Sequence, residues 1–513
     1  MPYRNRRSWA IATAVALTAT VALASPAYAA PNNNSVAKIT KAVTLEGVMR
    51  HLQALQGIAT ANGDRAAGRP GHRASVDYVV AQLQAAGYSP EVQEFSFDYF
   101  DENNALVRVS PNPTTYADER DFTRNTFDSG SPEGTATGQL VPVGIVVPAA
   151  SLPPNSNTSG CEAADFAGFP AGGIALVQRG SCGFAVKVLN AQAAGAAGVI
   201  VMNEGQPGRT GLVGMIGDAT GLTIPAVFAT SATGEDLAST PGATVTVTVS
   251  YDADVRTAYN VTAETAAGND ANTVMAGAHL DSVQDGAGIN DNGTGSAALL
   301  ETAIQMSKVK PNNTVRFAWW GAEESGLLGS EHYVSTLTDE QKGDIALYLN
   351  FDMIGSPNYF QGVYDGDNSS GTAPDGFIPE GSAQIEDVFE AFYTSRGEPF
   401  EDTEFSGRSD YGPFIEVGIP AGGLFTGAEG VKTAEQAAVY GGTAGVAFDS
   451  CYHQPCDTIT NLNAHALDIN SDAVAASVMT FAFDTSTVNG VRTPGKSHGA
   501  GKSADAMRDR FAD

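Results

Sequence analysis

Positive charge is scarce in this 513-residue chain, where 28 lysines and arginines face 57 aspartates and glutamates for a formal charge of −29. A surface with that balance repels phosphate backbones and anionic headgroups, which argues against nucleic acid and acidic membranes as partners. Charge of either sign is sparse, at 17 %, and hydrophobic content is 42 %. That composition is globular, and the length exceeds one ordinary core, so two domains are expected. Cysteine is limited to four residues, Cys161, Cys182, Cys451 and Cys456, and none forms a C-x-x-C pair. The usual spacing of a zinc-thiolate site is therefore missing. Long apolar runs are missing too, apart from one near the start, so no other segment reads as a membrane span.

That first run reads as a secretory signal over residues 1–29. Arg4, Arg6 and Arg7 form a basic start, WAIATAVALTATVALA the apolar stretch, and Ala27-Tyr28-Ala29 a small-x-small cleavage site. The protein is thus expected to be secreted, by general or twin-arginine export, and removal of the signal makes the chain more acidic still. Export favours disulfides over thiols, and proximity in sequence suggests Cys161–Cys182 and Cys451–Cys456. At the other end, 486–513 is polar and expected to be a flexible tail. Its Gly501-Lys502-Ser503 lacks the earlier glycine of a phosphate loop, since position 496 is lysine.

Between these ends the texture changes twice. Residues 43–62 carry Val48, Leu52 and Leu55 on one helical face, 74–86 read as a second helix closed by Gly87, and 91–100 alternate like a strand. Residues 120–255 are rich in Gly, Pro, Ser, Thr and Val, with short β-type runs such as GIALVQRG and ATVTVTVSY around one helix, AVKVLNAQAAGA. From 256 short apolar runs return: TVMAGA, TVRFAWW, IALYLNF and PAGGLF, with the helical SAALLETAIQMSK between the first two. Strand–helix–strand at this spacing predicts parallel pairing. One α/β domain, 30–119 plus 256–485, is expected to carry a β-rich insert at 120–255.

The candidate chemistry sits at the ends of these runs. His279 comes after the first, Glu323 and Glu324 after the second, and Asp352 after the third. Asp291 precedes the crossover helix, and Tyr452 and His453 sit inside the short Cys451–Cys456 loop. In open parallel sheets the site lies at the carboxyl ends of the strands. Two histidines and three carboxylates suit zinc and suffice for two ions sharing a bridge. Asp281, two residues after His279, is placed to hold the other imidazole nitrogen. Of Glu323 and Glu324, one can ligate while its neighbour takes a proton from water. His51, His72, His332, His465 and His498 have no such context: two fall on helical faces, the rest in loops, at a helix start or in the tail.

These residues carry a family likeness. AGAHLDSVQDGAGINDNGTGSAALLETA, RFAWWGAEESGLLGS, LNFDMIGSPN, GRSDYGPF, GGLFTGAE, AFDSCYHQPCD and GRPGHRASVDYV resemble the motifs of secreted bacterial double-zinc aminopeptidases, the leucyl aminopeptidase type of zinc exopeptidase. The likeness covers roughly 43–100 and 256–483. It implies the zinc-exopeptidase (phosphorylase/hydrolase-like) fold, a mixed, mostly parallel sheet flanked by helices. It also implies that Asp291 bridges two zinc ions, with His279 and Asp352 on one and Glu324 and His453 on the other. Glu323 would be the general base, Tyr452 a donor to the tetrahedral oxyanion, and Arg408 and Phe425 substrate-pocket residues. The expected partners are peptide or protein N-termini bearing large apolar residues such as leucine, cleaved by a two-metal hydroxide mechanism with the free amine held by acidic groups. The peptide after Asp291 is cis in that family, and the protein is expected to be a monomer. Some relatives bind calcium through two acids matching Asp468 and Asp472 plus an N-terminal aspartate; KITKAVTLEG supplies no such aspartate, which weakens that expectation. The 120–255 insert resembles a protease-associated (PA) domain.

Two rival readings differ in class. Receptor-type proteins join a PA domain to a peptidase-like domain with degraded ligands, whereas this chain keeps all five ligands, the base and the tyrosine. A single-zinc cyclase of N-terminal glutamine, or a carboxypeptidase, would share the fold, but the motif around Tyr452 and His453 is closer to aminopeptidases.

Overall fold

The computed structural model describes residues 32–491, apart from 119, 125–131, 207, 208, 214, 216–218 and 375. The expected signal segment and the tail beyond 491 lie outside the described residues. The chain divides into two units, one ending at Phe95 and resuming at Ala258, the other spanning Ser96–Thr257.

The first unit is built on a mixed sheet of β1 (Glu91–Glu102, in this unit as far as Phe95), β2 (Tyr251–Glu264, in this unit from Ala258), β3 (Thr273–His279), β4 (Val315–Trp320), β5 (Ile345–Phe351), β6 (Gly362–Tyr364), β7 (Glu401–Thr403) and β8 (Ala421–Phe425). Their spatial order is β1-β2-β4-β3-β5-β8-β6-β7. β3 lies between β4 and β5 and is parallel to both, and β5 is parallel to β8. β2 runs antiparallel to β4, and β6 to β8. The central strands read as unbroken apolar runs because both faces are covered. Val274, Ala276, Ala278, Phe317, Trp319, Leu347 and Leu349 enter the larger core on one face, while Met275, Ala318, Trp320 and Tyr348 pack with Tyr411 and Phe414 on the other.

Helices complete the larger core. Helix α1 (Leu45–Asn62) buries Val48, Leu52 and Leu55, and its first turn is capped by Thr44, whose hydroxyl accepts the Gly47 N–H at 3.1 Å. Helix α2 (Pro70–Ala86) closes at Gly87, φ 99°. It begins before residue 74 because Pro70 lacks only an N–H that the first turn leaves unpaired anyway. His72 is consequently a buried helical residue whose Nε2 accepts the Tyr259 N–H at 3.2 Å, not a loop residue. Helix α3 (Thr294–Met306) crosses over between β3 and β4 and presses against the end of β5. A Cβ at Gly295 would stand 2.1 Å from the Phe351 carbonyl oxygen, so only glycine permits that approach. Past residue 485, Ser486–Asn489 is still helical, and Asn489 donates to Asn272 at 2.8 Å, so order extends beyond the boundary expected for the tail.

The second unit holds an eight-stranded sheet in the order 114–116, 105–110, 244–249, 134–142, 174–178, 198–202, 226–229, 122–124. Ile174–Gln178 and Gly198–Met202 are buried throughout and parallel. The unit begins at Ser96, ahead of the composition change at 120, because Ala105–Ser110 pairs with Thr244–Val249. The Cys161–Cys182 disulfide lies within it.

Candidate metal centre

β3, β4 and β5 end side by side, with His279 in register with Trp320 and Gly277 with Asn350. The chain leaves this edge through backbone that non-glycine residues rarely adopt: Ala322 (φ 58°) precedes Glu323, Met353 (φ 49°) follows Asp352, and His453 itself has φ 55°. Each such residue costs on the order of 1–3 kcal/mol, and such strain gathers at functional sites.

Five side chains meet there in two linked sets. His279 Nε2 lies 3.2 Å from Asp291 Oδ1 and 3.4 Å from Asp352 Oδ1. His453 Nε2 lies 3.3 Å from Asp291 Oδ2 and 2.9 Å from Glu324 Oε2. Asp291 thus offers one oxygen to each set. The Asp291–Asn292 peptide is cis. Glu323 Oε2 stands slightly farther out, 3.7 Å from His279 Nε2.

Ligand atoms at ~2.0–2.1 Å from a tetrahedral zinc lie about 3.3–3.4 Å apart, which is close to these edges. Carboxylate oxygens of the site also want a partner. Asp352 Oδ1 and Glu324 Oε1 are buried and make no hydrogen bond among the described residues. Orphaned buried acceptors of this kind are costly unless something absent from the protein satisfies them. Electrostatics agree. Burial, then the charges of Asp352, Asp410 and Glu324, push the Glu323 carboxyl well up, against the pull of His279. Burial, then Asp291, raises Glu324. Burial alone would lower His453, but Glu324 and Asp291 outweigh it and lift it to about 11. Crowded carboxylates and two imidazoles in one desolvated space form a donor set that fits borderline divalent cations such as zinc.

The surrounding contacts aim these side chains. Asp352 spends Oδ2 on the Ser409 hydroxyl, at 2.6 Å, and Asn350 donates to that hydroxyl at 2.8 Å, which leaves Oδ1 facing His279. The sequence alone gives Ser409 no role, although it lies in the GRSDYGPF motif. Asp281 reaches the other imidazole nitrogen, mainly through its main chain. His279 Nδ1 is 3.2 Å from the Asp281 main-chain carbonyl oxygen but 3.7 Å from its carboxylate. That carboxylate instead accepts the backbone N–H groups of Glu323 and Glu324, at 3.3 and 3.4 Å. The reason is chain geometry: the β3 exit folds the Asp281 side chain toward the turn after β4. Asp410, next to Ser409, is fully buried, and burial pushes its carboxyl up to about 7.

The Cys451–Cys456 disulfide is present, and within its loop the Tyr452 ring stacks on His453, centroids 3.8 Å apart. Asp449 anchors the loop, accepting from Cys451 N at 2.8 Å and from Asn290 Nδ2 at 2.7 Å, beside Asp291. Burial, then the charges of Asp291 and Glu324, keep the Tyr452 phenol protonated well above its ordinary range. Phe425, at the end of β8, meets Phe360 edge-on, and Phe360 meets Phe448 at 4.8 Å. Arg408 is exposed, with Nη1 3.7 Å from Glu429. Asp468 and Asp472 lie on Ala464–Phe483; Asp472 is engaged by Arg396 at 3.1 Å and Asp468 is exposed.

Known proteins share both the sequence and the architecture. The profile of peptidase family M28 matches residues 260–478, and that of the PA domain matches 136–237. An aminopeptidase of Pseudomonas aeruginosa is 50 % identical over 85 % of this chain and 81 % of its own length. Leucine aminopeptidase 2 of Arthroderma otae is 40 % identical over 86 % of this chain and 84 % of its own. Among solved structures, the aminopeptidase from Aneurinibacillus sp. strain AM-1 is similar with a TM-score of 0.61 and 28 % identity, covering 86 % of this chain and 95 % of that one.

Proposed function

The chain belongs to peptidase family M28 and carries a PA domain, and from that premise we propose that it is an exported dizinc aminopeptidase that prefers large apolar N-terminal residues such as leucine. Peptide-bond hydrolysis rests on the family and on the aminopeptidases it resembles. The observation that carries the metal assignment is the pair of ligand sets sharing Asp291, with edges of 2.9–3.4 Å.

In this reading His279, Asp291 and Asp352 hold one zinc, and Asp291, Glu324 and His453 the other. Bound there, two zinc ions supply Lewis acidity to the scissile carbonyl and lower the pKa of water to about 7. Glu323 takes the proton from the attacking water and returns it to the leaving amine. Its 3.7 Å separation from His279 Nε2 sets it at the rim of the ligands. Tyr452, held protonated beside His453, donates to the tetrahedral oxygen. Carboxylates in excess of the cations receive the substrate's free amine, while Phe425, backed by Phe360 and Phe448, offers an apolar wall and Arg408 a further pocket residue. Export accords with the two disulfides. Among the described residues no helix is long and apolar enough to cross a membrane.

A peptide panel tests the activity. Free-amine leucyl peptides should be cleaved and their N-acetylated forms left intact. Equal cleavage of both, or release from the carboxyl end, contradicts an aminopeptidase. Cyclisation of N-terminal glutamine without hydrolysis would point to the rival chemistry. Detection of the protein in culture medium, cut after Ala29, tests export.

A further inference from the structure

Arg65, in the turn between α1 and α2, is fully buried yet hydrogen-bonds no carboxylate among the described residues. Its neighbour Asp64 pairs with Arg69 instead, at 2.8 Å. The guanidinium spends its fork on main-chain carbonyls: Nε donates to Ala287 at 2.7 Å, Nη1 to Leu280 and Nη2 to Gly288. Its own N–H donates to Ser282 Oγ at 3.0 Å. All four partners lie on the loop from His279 to Asp291. Gly288 (φ 58°) must be glycine there, since a Cβ would stand 3.0 Å from Arg65 Nη2 and 2.5 Å from the Asp291 carbonyl oxygen.

Asp457 performs the opposite task on the same loop. It is 2 % exposed, and its carboxylate accepts the N–H of Asn290 at 2.8 Å and of Asp291 at 3.0 Å. A buried cation therefore grips the carbonyls of 287 and 288, and a buried carboxyl group the amides of 290 and 291. The cation's charge-assisted hydrogen bonds are shorter and about twice as strong as neutral ones, and the rigid planar fork of arginine fixes direction as well as distance. Five peptide groups are thus clamped between the two ligands whose spacing defines the site.

We propose that Arg65 and Asp457 are the positioning residues of the bridging carboxylate: they set the path of 280–291 so that Asp291 presents one oxygen to each zinc. This rests on the dizinc reading above. Because the bridge serves both ions, loosening either half of the clamp should weaken both together. Ser409, which touches Asp352 alone among the ligands, should affect one.

The test is zinc affinity, measured by chelator competition on folded protein, for wild type, Arg65→Lys, Asp457→Asn and Ser409→Ala. Lysine keeps the charge but not the fork, and asparagine cannot accept both amides. Each clamp variant should lose about 10–100-fold in affinity, the range seen for residues that support ligands, for both ions in parallel. kcat should fall more than KM changes. Guanidinium ion added to Arg65→Ala should restore part of the affinity, which a general loss of stability would not allow. Folded clamp variants with wild-type affinity, or with one ion weakened as in Ser409→Ala, overturn the proposal. If Arg65→Lys does not fold, Asp457→Asn decides alone; if neither folds, the pair is structural and the proposal fails. Wild-type protein that binds fewer than two zinc ions overturns the dizinc reading itself, a distinct result.

Discussion

The Asp281 carboxylate receives the main-chain N–H of Glu323 at 3.3 Å, and its second oxygen receives that of Glu324 at 3.4 Å. One side chain at the end of β3 therefore sets the turn that delivers both glutamates from the end of β4. Asp281→Asn keeps the volume but replaces one acceptor with a donor, which faces an N–H. Activity should drop about 10–100-fold, as for other residues that orient ligands, with little change in melting temperature. Wild-type kinetics in this variant would show that the turn holds itself.

The Cys451–Cys456 loop holds His453 at φ 55°. Closing so short a loop stabilises by less than the ~3 kcal/mol of a 15-residue one, so the disulfide's main effect should be local. Replacing both cysteines by alanine should lower kcat more than tenfold while unfolding shifts modestly. An unchanged kcat contradicts this.

The second unit should be removable, but its limits matter. Deleting 120–255 strips Thr244–Val249 from Ala105–Ser110 and strands two β-segments. Deleting 96–257 takes the unit whole and leaves β1 only as far as Phe95 and β2 only from Ala258, sheet neighbours to be joined by a short turn. The longer deletion should give a folded, zinc-binding protein and the shorter one an aggregating product. The reverse outcome would show that residues 96–119 belong to the peptidase core.

These boundaries show what the sequence could and could not reveal. Strands buried on both faces announce themselves as unbroken apolar runs, so the exits at His279, Glu323 and Asp352 were legible, and Asp291 stood out before its helix. The pairing of 105–110 with 244–249 was not, because a strand's partner leaves no local trace. Arg65, Ser409 and Asp457 were hidden for a related reason. Arg65 and Asp457 act on main-chain groups more than 160 residues away, and Ser409 on Asp352 at 57 residues' separation. Asp281 does meet His279 Nδ1, through its carbonyl oxygen at 3.2 Å, but its bonds to the Glu323 and Glu324 amides are not legible, since spacing cannot say which way a carboxylate turns.

Glu386 gives a pH test outside the metal centre. Its residue is 5 % exposed, and burial, then the Asp367 charge, push its carboxyl up to about 8. An unfolded glutamate titrates near 4.3, so between those values the folded state keeps a proton that the unfolded state has lost. Stability from this group is complete below pH ~4 and is lost as pH rises through about 8. Glu386→Gln should therefore raise the melting temperature at pH 8 by about 2 °C or more, and leave it nearly unchanged at pH 4. Asp367 N–H, 2.9 Å from Glu386 Oε2, can still bond to the amide oxygen. Equal destabilisation at both pH values would contradict the assignment.

The central claim is that neighbouring glutamates divide the work, Glu324 as ligand and Glu323 as base. The direct measurement is zinc per chain, alongside kcat, in Glu323→Gln and Glu324→Gln. The account predicts two zinc ions in wild type and in Glu323→Gln, with kcat of the latter down at least 10²–10⁴-fold as expected for loss of a general base. It predicts about one tightly held zinc in Glu324→Gln. Two retained zinc ions in Glu324→Gln together with zinc loss in Glu323→Gln would reverse the roles, and full activity in both would contradict the account.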